Sequence, residues 1–221
     1  AFCVELVFPL LMTIAMRTVP SSHGGVVLGI LPLLTAMASV AIARERPSPA
    51  FWFWGVVGTA LVVAYAVLSA DGAQDLHWAD GLLAIGAIGA ALGYALGGEL
   101  TRRMGGVAVI SWALVVSMPF VIGLAAVVRP PINWAASAQS WLGLLYVAIF
   151  SQFLGFFAWN RGLALGGIAR VGQLQLLQTF VTLAAAALLL GEHVGVLELA
   201  FSAAVVGTIV LGWRTRVSRR D

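Results

Sequence analysis

Four polar side chains in one apolar stretch, Gln175, Gln178, Thr179 and Thr182, sit at offsets of zero, three, four and seven residues, which places them along one face of a helix. Their amides and hydroxyls donate and accept hydrogen bonds without charge, so they suit the holding of a polar solute rather than the breaking of a bond. In the preceding apolar stretch Gln152 and Trp159 share a face, with Asn160 beside it; Trp159 serves either a cavity or the membrane interface. Glu5 and Thr35 add polar groups near the same depth, Thr35 with Pro32 close by. A carboxyl inside a membrane is costly unless it meets water, a partner or the bundle interior. Glu5 is therefore either a proton-exchanging group that couples solute movement to protons, or a neutral hydrogen-bonded one. These eight residues, Glu5, Thr35, Gln152, Trp159, Gln175, Gln178, Thr179 and Thr182, form the candidate binding set for a small molecule.

Catalysis and metal binding find little support. His23, His77 and His193 fall in or beside loops, and no His or Asp lies within an apolar stretch to activate Ser151 or another hydroxyl, so an enzyme is not expected. No histidine or cysteine pair has ligand spacing, and neither a metal nor a cofactor is expected. The single cysteine, Cys3, excludes an intrachain disulfide.

The elements that must carry these residues are long apolar runs. Eight of them, at residues 1–16, 24–43, 50–69, 81–101, 107–128, 141–160, 168–190 and 195–213, fill almost the whole chain of 221 residues. A hydrocarbon core about 30 Å thick takes roughly 20 helical residues. With 61% hydrophobic residues, 10% charged residues and a mean hydropathy of +1.01, too little polar surface is left for a soluble fold. The runs are continuous rather than alternating, which excludes an outer-membrane barrel and predicts an all-α polytopic membrane protein. The first run is short and has no basic start or cleavage site. It is expected to begin inside a helix of a longer protein.

All twelve basic residues are arginines. Counted over alternate loops, one side receives Arg44, Arg46, Arg102, Arg103, Arg161, Arg170, Arg214, Arg216, Arg219 and Arg220, and the other only Arg17 and Arg129. By the positive-inside rule both ends of the chain are cytoplasmic, in a bacterial-type inner membrane, and Asp71, Asp75 and Asp80 lie outside. The basic tail serves as an orientation signal or as a contact for anionic headgroups. The lipid bilayer, and not nucleic acid, accounts for the formal charge of +3.

Shifting the chain by 147 residues pairs Glu45 with Glu192, Thr35 with Thr182 and Glu5 with Gln152, and superimposes spans one to three on spans six to eight. Five spans separate each pair, so the two units are inverted in the membrane, a common plan of secondary transporters. Glu45 and Glu192, at span ends, are expected to make capping contacts. Gly89, Gly93 and Gly97 form a small-residue face for close packing, within the bundle or between protomers of a homodimer. It is not a phosphate loop, since no strand precedes it. Tyr94 and Glu99 on the same span are weaker cavity candidates.

The stretch FAWNRGLALGGIARVGQLQLLQTFVTLAAAALLLGEHV, residues 157–194, resembles the second repeat of the EamA family in the drug/metabolite transporter superfamily. Residues 15–48, AMRTVPSSHGGVVLGILPLLTAMASVAIARERPS, resemble the end of the first repeat. In both, a helix ends, a short loop of small residues follows, and the next helix closes on a glutamate. The resemblance implies two inverted five-helix repeats, of which eight of ten helices are here. Residues 1–69 would be the last three helices of the first repeat, 70–80 an external linker, 81–213 the second repeat and 214–221 a cytoplasmic tail. It further implies a secondary transporter that exports or exchanges amino acids, related metabolites or drugs by alternating access. Thr179 departs from the family, which often has proline there; Pro32 keeps it in the first repeat, so the kink is expected only in the first. The alternative is a non-transporting membrane scaffold or subunit, whose polar residues would be scattered over pairwise contacts.

Overall fold

The structure, a computed structural model, describes residues 2–19, 21–69, 77–128, 133–190 and 195–219. These form eight helices: α1 (Phe2–Ala15), α2 (Ser21–Ile42), α3 (Pro49–Ser69), α4 (Trp78–Met104), α5 (Gly106–Val128), α6 (Ala138–Gly166), α7 (168–190) and α8 (Val196–Trp213). By length and composition α3, α4, α5, α6 and α8 can cross a membrane; α1 and the Gly29–Ile42 part of α2 are apolar but shorter. The fold is that of an all-α polytopic membrane protein. Large apolar side chains such as Leu142, Phe150 and Val206 are exposed, as expected where lipid is the solvent.

Helix ends run past the apolar runs, because caps and not hydropathy set them. α4 starts at residue 78, where the Asp80 carboxylate accepts from the His77 amide at 2.7 Å and His77 Nδ1 accepts from the Ala79 amide at 3.3 Å. It ends at Gly105, whose φ of 85° suits glycine. α6 begins behind Ser137, whose hydroxyl accepts from the Ser140 amide at 3.2 Å, and stops at Gly167 with φ 89°. Arg161 therefore stands inside α6, not in a loop.

α4 is the centre of the bundle and packs on α1, α2, α5 and α6. Its small-residue face is filled by helices of the same chain. A Cβ on Gly93 would overlap Val4, one on Gly89 would meet Val7 at 3.4 Å, and one on Gly97 would stand 2.5 Å from Asn160 Oδ1. On the other side Val62, Tyr65, Leu176, Phe180, Val205 and Ile209 pack α3, α7 and α8 together.

Three departures from regular helix occur in the elements that carry the polar residues. α1 opens with a π-helical segment, Phe2–Val7, and α6 contains another, Val147–Gly155. The 147-residue shift carries the first onto residues 149–154, inside the second, so the repeat weakly legible in sequence recurs as a backbone irregularity. Within α7, Gln173–Leu177 is wound as a 3-10 helix before the α-helix resumes at Gln178.

The ends of α2, α4, α6 and α8 and the start of α7 meet at one end of the bundle. Arg44, in the left-handed region at φ 55°, turns the chain out of α2, and Glu45 folds beneath α7. Its Oε1 and Oε2 each accept at 2.8 Å, from the Ile168 and Ala169 amides. This is the capping contact expected of Glu45; Glu192 lies outside the described residues. Arg102 bridges Glu45 at 3.2 Å and Glu99 at 3.0 Å, and donates to the Ala164 carbonyl at 3.0 Å. A short ladder missed in the sequence, β1 (Glu45–Pro47) antiparallel to β2 (Val217–Arg219), closes the same end.

Candidate functional site

Two adjoining cavities lie on the inner side of α6. The smaller, about 230 Å³, is bounded by α4, α6 and α7 and lined by Tyr94, Ser151, Phe156, Trp159, Gln175 and Gln178 among others. The larger, about 350 Å³, is bounded by α1, α4, α5 and α6 and includes Glu5, Tyr94, Phe156 and Asn160. Tyr94 and Phe156 line both and form the wall between them. The Tyr94 ring stands 5.9 Å from Trp159 in an edge-to-face arrangement and 6.3 Å from Phe156.

Polar groups with unmet hydrogen bonds converge there. Both amide atoms of Gln175 and the indole Nε1 of Trp159 are buried and have no partner among the described residues. Buried donors and acceptors are nearly always satisfied, so a group left open at a cavity wall is free to receive a solute. Glu5 is the one carboxylate on either wall, and no arginine or histidine lines them. The arrangement can hold a polar molecule by neutral hydrogen bonds and aromatic contact.

Four of the eight candidates thus come together: Trp159, Gln175 and Gln178 in one cavity and Glu5 in the next. The other four line neither. Thr35 is fully buried, gives its hydroxyl to the Leu31 carbonyl at 2.9 Å, and presses its methyl against α7 where a Cβ on Gly172 would meet it at 3.0 Å. Thr182 is exposed and returns its hydroxyl to the Gln178 carbonyl at 2.9 Å. Gln152 is exposed and Thr179 half-buried.

The 3-10 segment explains why the α7 stripe divides. Each 3-10 residue turns about 120° against about 100° in an α-helix, so Gln175 and Gln178 eclipse while later residues rotate off their face. Gln173, one position off the stripe, is buried between α3 and α8, where Cβ atoms on Gly55 and Gly212 would meet its amide at 3.1 and 2.6 Å. Asn160 and Phe156 were not among the eight. Their signal is the pairing of α4 glycines with α6, which a single span does not reveal.

A family model described as the EamA-like transporter family matches residues 77–213. The chain belongs to that family. This EamA-like protein is also 44% identical over 207 residues to a Bacillus subtilis (strain 168) protein named "Uncharacterized transporter YdeK", covering 93% of the chain and 71% of the relative. A solved structure superposes with a TM-score of 0.74 over 95% of the chain and 75% of its own length, at 18% identity, which speaks for the fold alone. The role is that of a multi-pass membrane transporter with a small-molecule substrate.

Proposed function

We propose that this EamA-like transporter moves a small polar metabolite, such as an amino acid, a related compound or a drug, through the paired cavities by alternating access, as an exporter or exchanger. The observation that carries the reading is the convergence of Gln175, Gln178 and Trp159 with Tyr94 on one cavity, with three amide and indole atoms unpartnered. A scaffold would spend such groups on helix-to-helix bonds. The repeat-related π segments of α1 and α6 lie beside these cavities, where irregular backbone can absorb the rocking of one repeat against the other. The arginine-rich end faces the cytoplasm of a bacterial-type inner membrane.

The test is transport by everted vesicles or cells carrying Gln175→Leu, Gln178→Leu and Thr182→Val. Each glutamine variant removes a donor and an acceptor from the cavity and raises KM, whereas Thr182→Val leaves the kinetics unchanged. Equal kinetics in all three variants would remove the site.

A further inference from the structure

We infer that the arginine-rich end of the bundle holds a second binding site, for a phosphate oxyanion, apart from the transport cavities. A cavity of about 190 Å³ opens where the end of α6, the start of α7 and β2 meet, lined by Arg102, Arg170 and Arg219 with Ser218, Leu165 and Glu45. Glu45 does not neutralise it. Its two oxygens already serve the Ile168 and Ala169 amides and Arg102. Glu99 is shared among Arg102, Arg103 and Arg219. Four guanidinium groups thus meet two carboxylates that are both committed.

Arg170 supplies the independent sign of a missing acceptor. It gives one Nη to the Thr215 carbonyl at 2.7 Å, while its Nε is buried without a partner. A guanidinium fork matches a tetrahedral oxyanion better than any other side chain, and charge-assisted bonds of this kind are the strong ones. The site also lies at the level of the helix ends, where lipid headgroups sit. Leu165 is 79% exposed, and Trp213, its Nε1 donating to the Arg170 carbonyl at 2.9 Å, is exposed beside it. The shared chemistry is a phosphate group, carried either by an anionic phospholipid or by a soluble phosphate.

The experiment uses the full chain in neutral detergent, with thermal unfolding and native mass spectrometry as readouts. The probes are phosphatidylglycerol, phosphate-free diacylglycerol and inorganic phosphate. Phosphatidylglycerol should raise the unfolding midpoint and leave a retained adduct, and diacylglycerol should do neither; an equal shift with inorganic phosphate would make the source soluble. Arg170→Gln with Arg219→Gln should weaken binding by about ten-fold or more, the loss of one charge-assisted contact. Ser218→Glu, which removes no arginine contact, should do the same by placing a carboxylate at the rim, and stands as the test if the double variant does not fold. No shift with either phosphate probe in the wild type, or an undiminished shift in Ser218→Glu, overturns the site.

Discussion

Replacing Glu45 by alanine should destabilise the bundle more than any comparable change at its arginine-rich end. The Glu45 side chain is 4% exposed and accepts two amide bonds at 2.8 Å from the first turn of α7. Each hydrogen bond to a charged group contributes about 1.5–3 kcal/mol, and the amides stranded by its loss have no water to turn to. Arg102 is better placed, since it keeps Glu99 and the Ala164 carbonyl. The cost is then about 3–5 kcal/mol, in the range for breaking a buried ionic contact. Glu45→Gln retains an acceptor for one amide while turning an NH₂ toward the other, and should cost about 2 kcal/mol. Titration of purified protein from mild to denaturing detergent, followed by tryptophan fluorescence, measures both variants. If Glu45→Ala unfolds within about 1 kcal/mol of the wild type, the cap does not hold α7 and the reasoning fails.

Gly93→Leu should sharply lower the yield of folded protein, because even a Cβ there overlaps Val4; a monodisperse variant at wild-type yield would mean that α1 and α4 pack differently. In a Cys3→Ser background, a cysteine at Ser218 should be labelled by an impermeant reagent only from the cytoplasmic side and one at Ala135 only from outside. The reverse pattern would invert the bundle. Glu5→Gln should preserve substrate exchange but abolish accumulation driven by a pH gradient; unchanged dependence on the gradient would make Glu5 a structural group. Gly58→Ala should loosen α3 from α7 and α8, since its methyl would come within 2.7 Å of Leu176 and 2.8 Å of Thr208, and thermal unfolding in detergent would report it.

Hydropathy alone disclosed the eight helices, because lipid demands uninterrupted apolar runs. Their true ends were hidden in caps such as Ser137 and Gly167, which are polar or small and look like loop. Gln175, Gln178 and Trp159 were legible as a group because helical spacing puts them together. Thr35 and Thr182 misled for a single reason: a threonine hydroxyl can satisfy itself on the carbonyl four residues back, so polarity in a span does not by itself imply a cavity. Tyr94 as a dividing wall and the 3-10 winding of α7 depend on contacts among α4, α6 and α7. No single run of residues records those.

The three-residue ladder between β1 and β2 has a consequence for biogenesis. It joins residue 45 to residue 219, so the loop leaving α2 waits for its partner until the last strand has emerged from the ribosome. Until then Glu99 also lacks Arg219, and the half-built bundle is open at the end where its charges are concentrated. Membrane quality control can therefore distinguish finished from unfinished chains by a latch made of the last residues synthesised, and a fusion partner attached close behind Arg219 would delay that latch more than one attached through a long linker.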